Sequence, residues 1–338
     1  MSTTTSTTTS THKQAPLTID GRFSIATADG WLADLHRDGY AVIKGAIPAD
    51  RAKAYQKKAF DWLQSFGHDE LDLANPETWV HDNLPVHGKV NTFTTYGVVH
   101  ERFMWEARQE PAILQAFAKI WGTDQLLASF DALNITLPNR RDVKPNGAWP
   151  HVDQSPYKEG MHCVQGIINL SHAGPSDGSL MVFPGSHKLV KELFATQLPK
   201  SEWSTEDYYL FKDEHMEWFA SKGMQAKKVL AEPGDLILWD SRTVHWGAEP
   251  SPESKTIRTV IYASYAPADL ATPESLVAKQ AIFRNWGATT HWASTNIFPL
   301  QTKSIRHDGT RDPKDREEPL EKPEMTDKLL RLAGIKAY

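Results

Sequence analysis

Apolar residues recur at helical spacing from position 26 to about 37, through Trp31, Leu32 and Leu35. Gly39 stops that helix, and Tyr40-Ala41-Val42-Ile43 reads as a short strand. A second helix is expected from about 48 to 66, with an Ala-rich and a Lys-rich face. Residues 110–122 predict a third, with Pro111 suited to its first turn and Gly122 to its end. The pattern then changes. Residues 126–137, 164–170, 179–183, 227–230, 235–239 and 256–265 are short runs rich in apolar and β-branched residues. Asn146-Gly147, Ser176-Asp177-Gly178, Pro184-Gly185 and Glu232-Pro233-Gly234-Asp235 punctuate them. Many short strands between turn signals predict a mainly β fold, a sandwich or jelly roll, with helices packed outside one sheet.

The organisation expected is one domain over residues 21–305 with N-terminal helices. Before it, residues 1–20 are rich in Ser and Thr and read as a disordered tail, without the basic start and apolar stretch of a signal peptide. Residues 306–338 form a charged C-terminal extension. Within it, 308–322 reads as a solvated linker and 324–333 as a short terminal helix. Hydrophobic residues at 40% and charged residues at 23% are ordinary for a globular chain. A net charge of −5 argues against binding nucleic acid or an anionic membrane surface, and no apolar run is long enough to span a bilayer. The one cysteine, Cys163, excludes an intrachain disulfide and a thiolate zinc site. These features point to the cytoplasm and to a small-molecule partner, with a homodimer left open.

Candidate chemistry begins at His151-Val152-Asp153. In an extended chain, residues two apart share a face, so an imidazole and a carboxylate can reach one ion. The triplet alone is weak: with 14 His in the chain, about one such match arises by chance. His36-Arg37-Asp38 also matches, but it falls in a predicted helix, where i and i+2 diverge. Downstream context favours the second triplet. The turn at 232–235 leads into an apolar strand, His245 follows, and Arg258 lies on a further strand. Two His and one carboxylate on one face of an iron leave three positions open, which suits a bidentate 2-oxo acid plus dioxygen. The distal carboxylate of 2-oxoglutarate needs a planar, permanently charged partner, and Arg258 supplies one.

The chain resembles the phytanoyl-CoA dioxygenase family of iron(II)/2-oxoglutarate oxygenases, from about Trp31 to Pro267. The resemblance rests on Asp38-Gly39-Tyr40-Ala41-Val42-Ile43, on His151-Val152-Asp153, and on Asp177-Gly178-Ser179-Leu180 leading to Pro184-Gly185-Ser186-His187-Lys188. It rests also on Pro233-Gly234-Asp235 before His245 and Arg258. It implies a double-stranded β-helix (jelly-roll, cupin-like) core with iron at its open end. His151, Asp153 and His245 are then the catalytic metal ligands, and Arg258 grips the 2-oxoglutarate. By the same resemblance Asn134 and Asn169 are candidate contacts to the cosubstrate. His187 reads as a hydrogen-bonded turn residue, and His162, His172, His215 and His291 are assigned no role. Many relatives carry Ser two residues after the distal His, where this chain has Gly247. Asp153 is retained, so the open halide position of halogenating relatives is not expected.

The implied reaction consumes Fe(II), O2 and 2-oxoglutarate, releases succinate and CO2, and oxidises an unactivated C–H, most simply to an alcohol; ascorbate is the expected reductant in vitro. Desaturation, epoxidation and cyclisation stay open. Twelve Trp suit a mostly apolar organic substrate, although many Trp are expected in the core. Tyr96, Arg102, Trp149, Gln154 and Trp246 are candidate substrate contacts. Residues 284–296 read either as a lid or as a packed extension. An amino-acid derivative or natural-product intermediate is the favoured substrate. An acyl-CoA is the alternative, and a non-catalytic metal- or ligand-binding jelly roll is the alternative from another class.

Overall fold

The computed structural model describes residues 30–67 and 70–338, so the Ser/Thr-rich stretch and the start of the first expected helix lie outside the described residues. In chain order the first elements are α1 (Gly30–Asp38), β1 (Tyr40–Ile43), α2 (Ala49–Gln64), β2 (Thr92–Phe93), α3 (Arg102–Arg108) and α4 (Pro111–Trp121). Then come β3 (Leu126–Ala128), β4 (Leu133–Thr136), β5 (His151–Val152), β6 (Val164–Asn169) and β7 (Ser179–Val182). An excursion follows through α5 (Val190–Gln197), β8 (Tyr209–Leu210), α6 (Asp213–Ser221) and β9 (Lys227–Lys228). The chain returns through β10 (Leu236–Asp240), β11 (His245–Ala248), β12 (Arg258–Tyr262) and β13 (Tyr265–Pro267), and ends with α7 (Pro273–Arg284) and α8 (Asp327–Leu332).

Two antiparallel sheets face each other. The larger runs β1-β10-β6-β12-β4-β2 and the smaller β8-β5-β11-β7-β9, which is the double-stranded β-helix arrangement expected from the strand pattern. Strand alternation sorts the side chains into layers. Ile168, Leu236 and Leu238 point outward to the helices, where they join Trp62 and Phe117 of α2 and α4. Ile167, Ile237, Trp239 and Val260 point inward, towards Val182 of the smaller sheet. This two-sided burial explains why β6 and β10 read as continuous apolar runs. The far face of the smaller sheet is covered by the excursion: Val152 and Phe183 pack with Phe194 of α5 and Phe219 of α6.

Two expectations change. The runs 126–137 and 256–265 are each broken in two: β3 and β13 pair with each other, while β4 and β12 join the larger sheet. The segment 308–322 is not a solvated linker. Glu101 accepts the backbone N–H of Leu320 and Glu321, and the N–H of Arg102 bonds to the Glu321 carbonyl. Buried Asp312 accepts the Tyr96 hydroxyl at 2.6 Å and Arg306 at 3.0 Å. Gly97 sits at φ +69, and a Cβ there would lie 2.5 Å from the Pro319 nitrogen, so the strap lies directly on its backbone. Among the described residues, no helix is long and apolar enough to cross a membrane.

Candidate active site

β11 pairs with β5 in the register that sets His245 opposite His151, and alternation brings Asp153 towards the same ion-binding point. One donor atom from each of the three residues lies within 4.8 Å of the others, and all three residues are buried. Asp153 faces both rings, its Oδ1 3.6 Å from His151 Nε2 and its Oδ2 3.2 Å from His245 Nε2.

The surroundings fix the direction of each donor. His151 Nδ1 donates to the Trp149 carbonyl at 3.1 Å, and His245 Nδ1 to the Thr243 carbonyl at 2.8 Å. A carbonyl can only accept, so both Nδ1 atoms carry the proton and both Nε2 lone pairs are left for a ligand. Gln165 donates to Asp153 Oδ2 at 2.7 Å, and Trp149 stacks on the His151 ring at 4.4 Å. Burial alone would raise the Asp153 pKa, but His151, His291 and the hydrogen bond to His245 outweigh it and hold the carboxylate well below its usual range. Burial, reinforced by His151, lowers the His245 pKa, so that ring is neutral and able to ligate. A pre-oriented imidazole pair with an ionised carboxylate fits a ferrous ion with open positions.

Arg258 stands opposite Thr136 on β4, and Asn134 lies two residues along the same face. Arg258 Nη1 donates to Asn134 Oδ1 at 2.9 Å, Thr136 Oγ1 donates to the same oxygen at 3.0 Å, and the Asn134 amide donates to the Val90 carbonyl at 2.8 Å. Buried Arg258 is thus held by an amide, and no salt bridge joins it to a carboxylate among the described residues. Gly178 permits this placement, since a Cβ there would stand 3.3 Å from Arg258 Cδ. The triad and Arg258 line one cavity of about 210 Å³, together with Asn134, Trp149 and Trp246.

Four other candidates lie outside that cavity. Tyr96 is buried against the C-terminal strap, its hydroxyl committed to Asp312, and Arg102 is exposed at the start of α3. Gln154 pins its own loop, donating to the Gly160 carbonyl and accepting from His162 N–H. Asn169 donates to the carbonyls of Ser171 and Glu232, which fixes the turn before β10. His36-Arg37-Asp38 lies on α1, where Arg37 pairs with Asp34 and Asp38. The Pro-Gly-Ser-His-Lys run braces the site from behind. Ser186 Oγ accepts Val244 N–H at 2.8 Å, and His187 Nε2 bonds to the His36 carbonyl at 3.1 Å.

Sequence reasoning missed Gln165, Asp131, His291 and Tyr208, whose ring centroid stands 5.3 Å from that of His151. Gln165 and Asp131 carried a signal, each a polar residue inside an apolar run. His291 carried none, because loop geometry brings it to the wall of the cavity. Asp131 lines the cavity too, and burial, with repulsion from Asp153, raises its pKa.

Such a triad in a double-stranded β-helix defines the class of mononuclear non-haem iron(II) enzymes. The match to the family model described as phytanoyl-CoA dioxygenase spans residues 35–257, and the chain belongs to this family of iron(II)/2-oxoglutarate-dependent enzymes. It is 39% identical over 268 residues to "Ava biosynthesis cluster protein O" of Aspergillus versicolor, covering 77% of this chain and 85% of that protein. Its fold is similar to that of GlcNAc Inducible Gene 2 from Candida albicans (TM-score 0.56, 14% identity, 91% of this chain and 76% of that one). It is also similar to the hypothetical protein JW0805 from Escherichia coli (TM-score 0.58, 15% identity, 89% and 80%).

Proposed function

We propose that this enzyme oxidises an unactivated C–H of a small organic molecule, with His151, Asp153 and His245 holding the iron and Arg258 the distal carboxylate of 2-oxoglutarate. The observation that carries this reading is the shared cavity: the three donors and a buried Arg without a carboxylate partner open into one space. When bound, iron and 2-oxoglutarate supply the oxidising chemistry. The chain's own residues do the rest. Trp149 and the two backbone carbonyls fix the imidazoles, Gln165 fixes Asp153, and Asn134 aims the guanidinium. A hydroxylated natural-product intermediate is the favoured product, a choice supported by the name of the Aspergillus relative, which places that protein in a biosynthesis cluster. A buried, unpaired Cys163 supports a reducing, cytoplasmic setting.

The test is succinate release under air with iron(II), ascorbate and 2-oxoglutarate, against a panel of natural-product-like molecules. Arg258→Ala should raise the half-saturating 2-oxoglutarate concentration about 10- to 100-fold, as expected for hydrogen bonds to a charged group, while iron affinity stays near wild type. Unchanged 2-oxoglutarate dependence in that variant would show that another residue holds the cosubstrate. Absence of succinate with every molecule would favour a binding protein.

A further inference from the structure

Between β3 and β4 the chain leaves its pairing with β13 and joins the larger sheet, and Asp131 sits at that break. The backbone there is held on several sides. Ser129 N–H donates to the Ser264 carbonyl at 2.8 Å, and Phe130 N–H to Thr289 Oγ1 at 2.9 Å. The Ala132 carbonyl accepts Tyr262 N–H at 3.0 Å, and the Asp131 carbonyl accepts Arg108 Nη2 at 2.6 Å. Asp131 is thus a fixed point in the wall of the cavity that the triad and Arg258 also line.

Its carboxyl group is only half used. Oδ1 accepts the N–H of the next residue, Ala132, at 2.7 Å. Oδ2 accepts no hydrogen bond among the described residues, and it is not sealed in protein: the residue is half-buried and opens on its cavity side. Other polar side chains of the same wall are committed. Gln165 donates to Asp153, Thr136 to Asn134, and Ser179 to the Val229 carbonyl. The nearby cation is committed too, since Arg108 donates to the carbonyls of Val99 and Asp131 and not to the carboxylate. Burial raises the Asp131 pKa, the mark of a charge held at a cost. An Asn would serve the Ala132 N–H equally well, so the local turn does not account for a charge at this position.

The charge of the whole cavity points the same way. Among its lining residues Asp131, Asp153 and Glu249 are carboxylates, and Arg258 is the one Lys or Arg. A doubly charged iron and a doubly charged cosubstrate cancel each other, so the loaded site keeps an excess of negative charge. The cavity beside it, which shares Asp153, adds Glu206 and Asp207 and no Lys or Arg. A cation is drawn into such a space, and an anion such as a CoA phosphate is repelled. An ionised carboxylate oxygen can only accept, so its partner carries N–H or O–H, and a charged N–H makes the stronger bond.

We propose that Asp131 is a specificity-determining residue whose free Oδ2 binds a cationic nitrogen of the substrate, an amine, amidine or guanidine. This rests on the reading of the cavity as the iron and 2-oxoglutarate site. Arg258 and Asp131 then divide the work by charge: the cation of the wall takes the cosubstrate's carboxylate, and the carboxylate of the wall takes the substrate's cation.

The test uses the full chain loaded with Mn(II) and 2-oxoglutarate, which permits binding without turnover. Equilibrium dialysis compares benzylamine with benzyl alcohol, 2-phenylethylamine with 2-phenylethanol, and benzamidine with benzamide, each pair alike in size and different in charge. At least one cation should bind wild type about tenfold more tightly than its neutral counterpart, the scale of a hydrogen bond to a charged group. Asp131→Asn should abolish that preference, Asp131→Glu should retain part of it, and Glu249→Gln should leave it unchanged, with 2-oxoglutarate binding intact in all three. Asp131→Ser also offers the Ala132 N–H an oxygen, and it replaces the Asn variant if that one does not fold. A wild type that favours no cation, or a preference that survives loss of the Asp131 charge, overturns the proposal. So does a preference lost in Glu249→Gln, because that would put the cation on the other carboxylate. Failure of the reading on which this rests is seen separately, as wild-type protein that takes up Mn(II) without gaining 2-oxoglutarate.

Discussion

Gln165 shows how much of a metal site resides outside its ligands. It donates to Asp153 Oδ2 at 2.7 Å from a strand that is buried along its whole length. Gln165→Leu keeps the volume and removes that donor, leaving the carboxylate free to rotate away from the two imidazoles. Metal affinity, measured by competition with a chromophoric chelator, should fall about 10- to 100-fold. Wild-type affinity in that variant would show that Asp153 needs no such support. At this scale the ligands were legible and much of their surroundings was not. His151 and Asp153 declare themselves because an extended chain repeats every second residue, a local rule. Tyr96 lies outside the cavity because its direction is set by a partner far along the chain, Asp312, whereas Gln154 is held within its own loop.

At the scale of elements, the same distant pairing explains the C-terminal strap. A run of charges and prolines looks like a linker when its partners are out of view. Here Asp312 and Asp315 are matched by Tyr96, Arg306 and Arg311. Tyr96→Phe would leave a buried Asp312 oxygen without its donor, at a cost of about 1–3 kcal/mol. Urea unfolding should register that loss, and limited proteolysis should reach residues 306–322 sooner. An unchanged urea midpoint would mean that the strap adds nothing to the fold. Strand existence was legible, since β6, β7 and β10 sit where apolar runs ended at Gly and Pro turns. The breaks inside 126–137 and 256–265 were not, because both halves are buried and only their pairing partners differ. The short helices α5 and α6 escaped as well, since such helices draw their stability from packing, here on Val152 and Phe183.

For the whole molecule, buried basic groups predict how stability follows pH. Burial pushes His100 down to about 3, and its Nε2 is tied to the Gly287 carbonyl while its Nδ1 accepts from Trp105. Burial also lowers His87, to about 4, despite its bond to the Pro85 carbonyl. Between these values and about 6.5 the unfolded chain binds more protons than the folded one, so acidification through that window favours unfolding. Lys279, buried on the inner face of α7 with its Nζ on the Ala128 carbonyl, is lowered by burial to about 7. The unfolded lysine stays protonated to about 10.4, so stability should rise from about pH 7 towards pH 10. Lys279→Met should flatten that rise in denaturant midpoints; an identical pH profile would show that Lys279 is charged in the fold.

The central claim is that side chains from β5, the residue just beyond it, and β11 close around one ferrous ion with 2-oxoglutarate on Arg258. Anaerobic titration of iron(II) into the protein with 2-oxoglutarate, followed by the visible charge-transfer absorption of the chelate, tests it most directly. The account predicts saturation at one iron per chain, a strict need for 2-oxoglutarate, and loss of the band in His245→Ala. A band of undiminished intensity in His245→Ala, or none in the wild type, would contradict it.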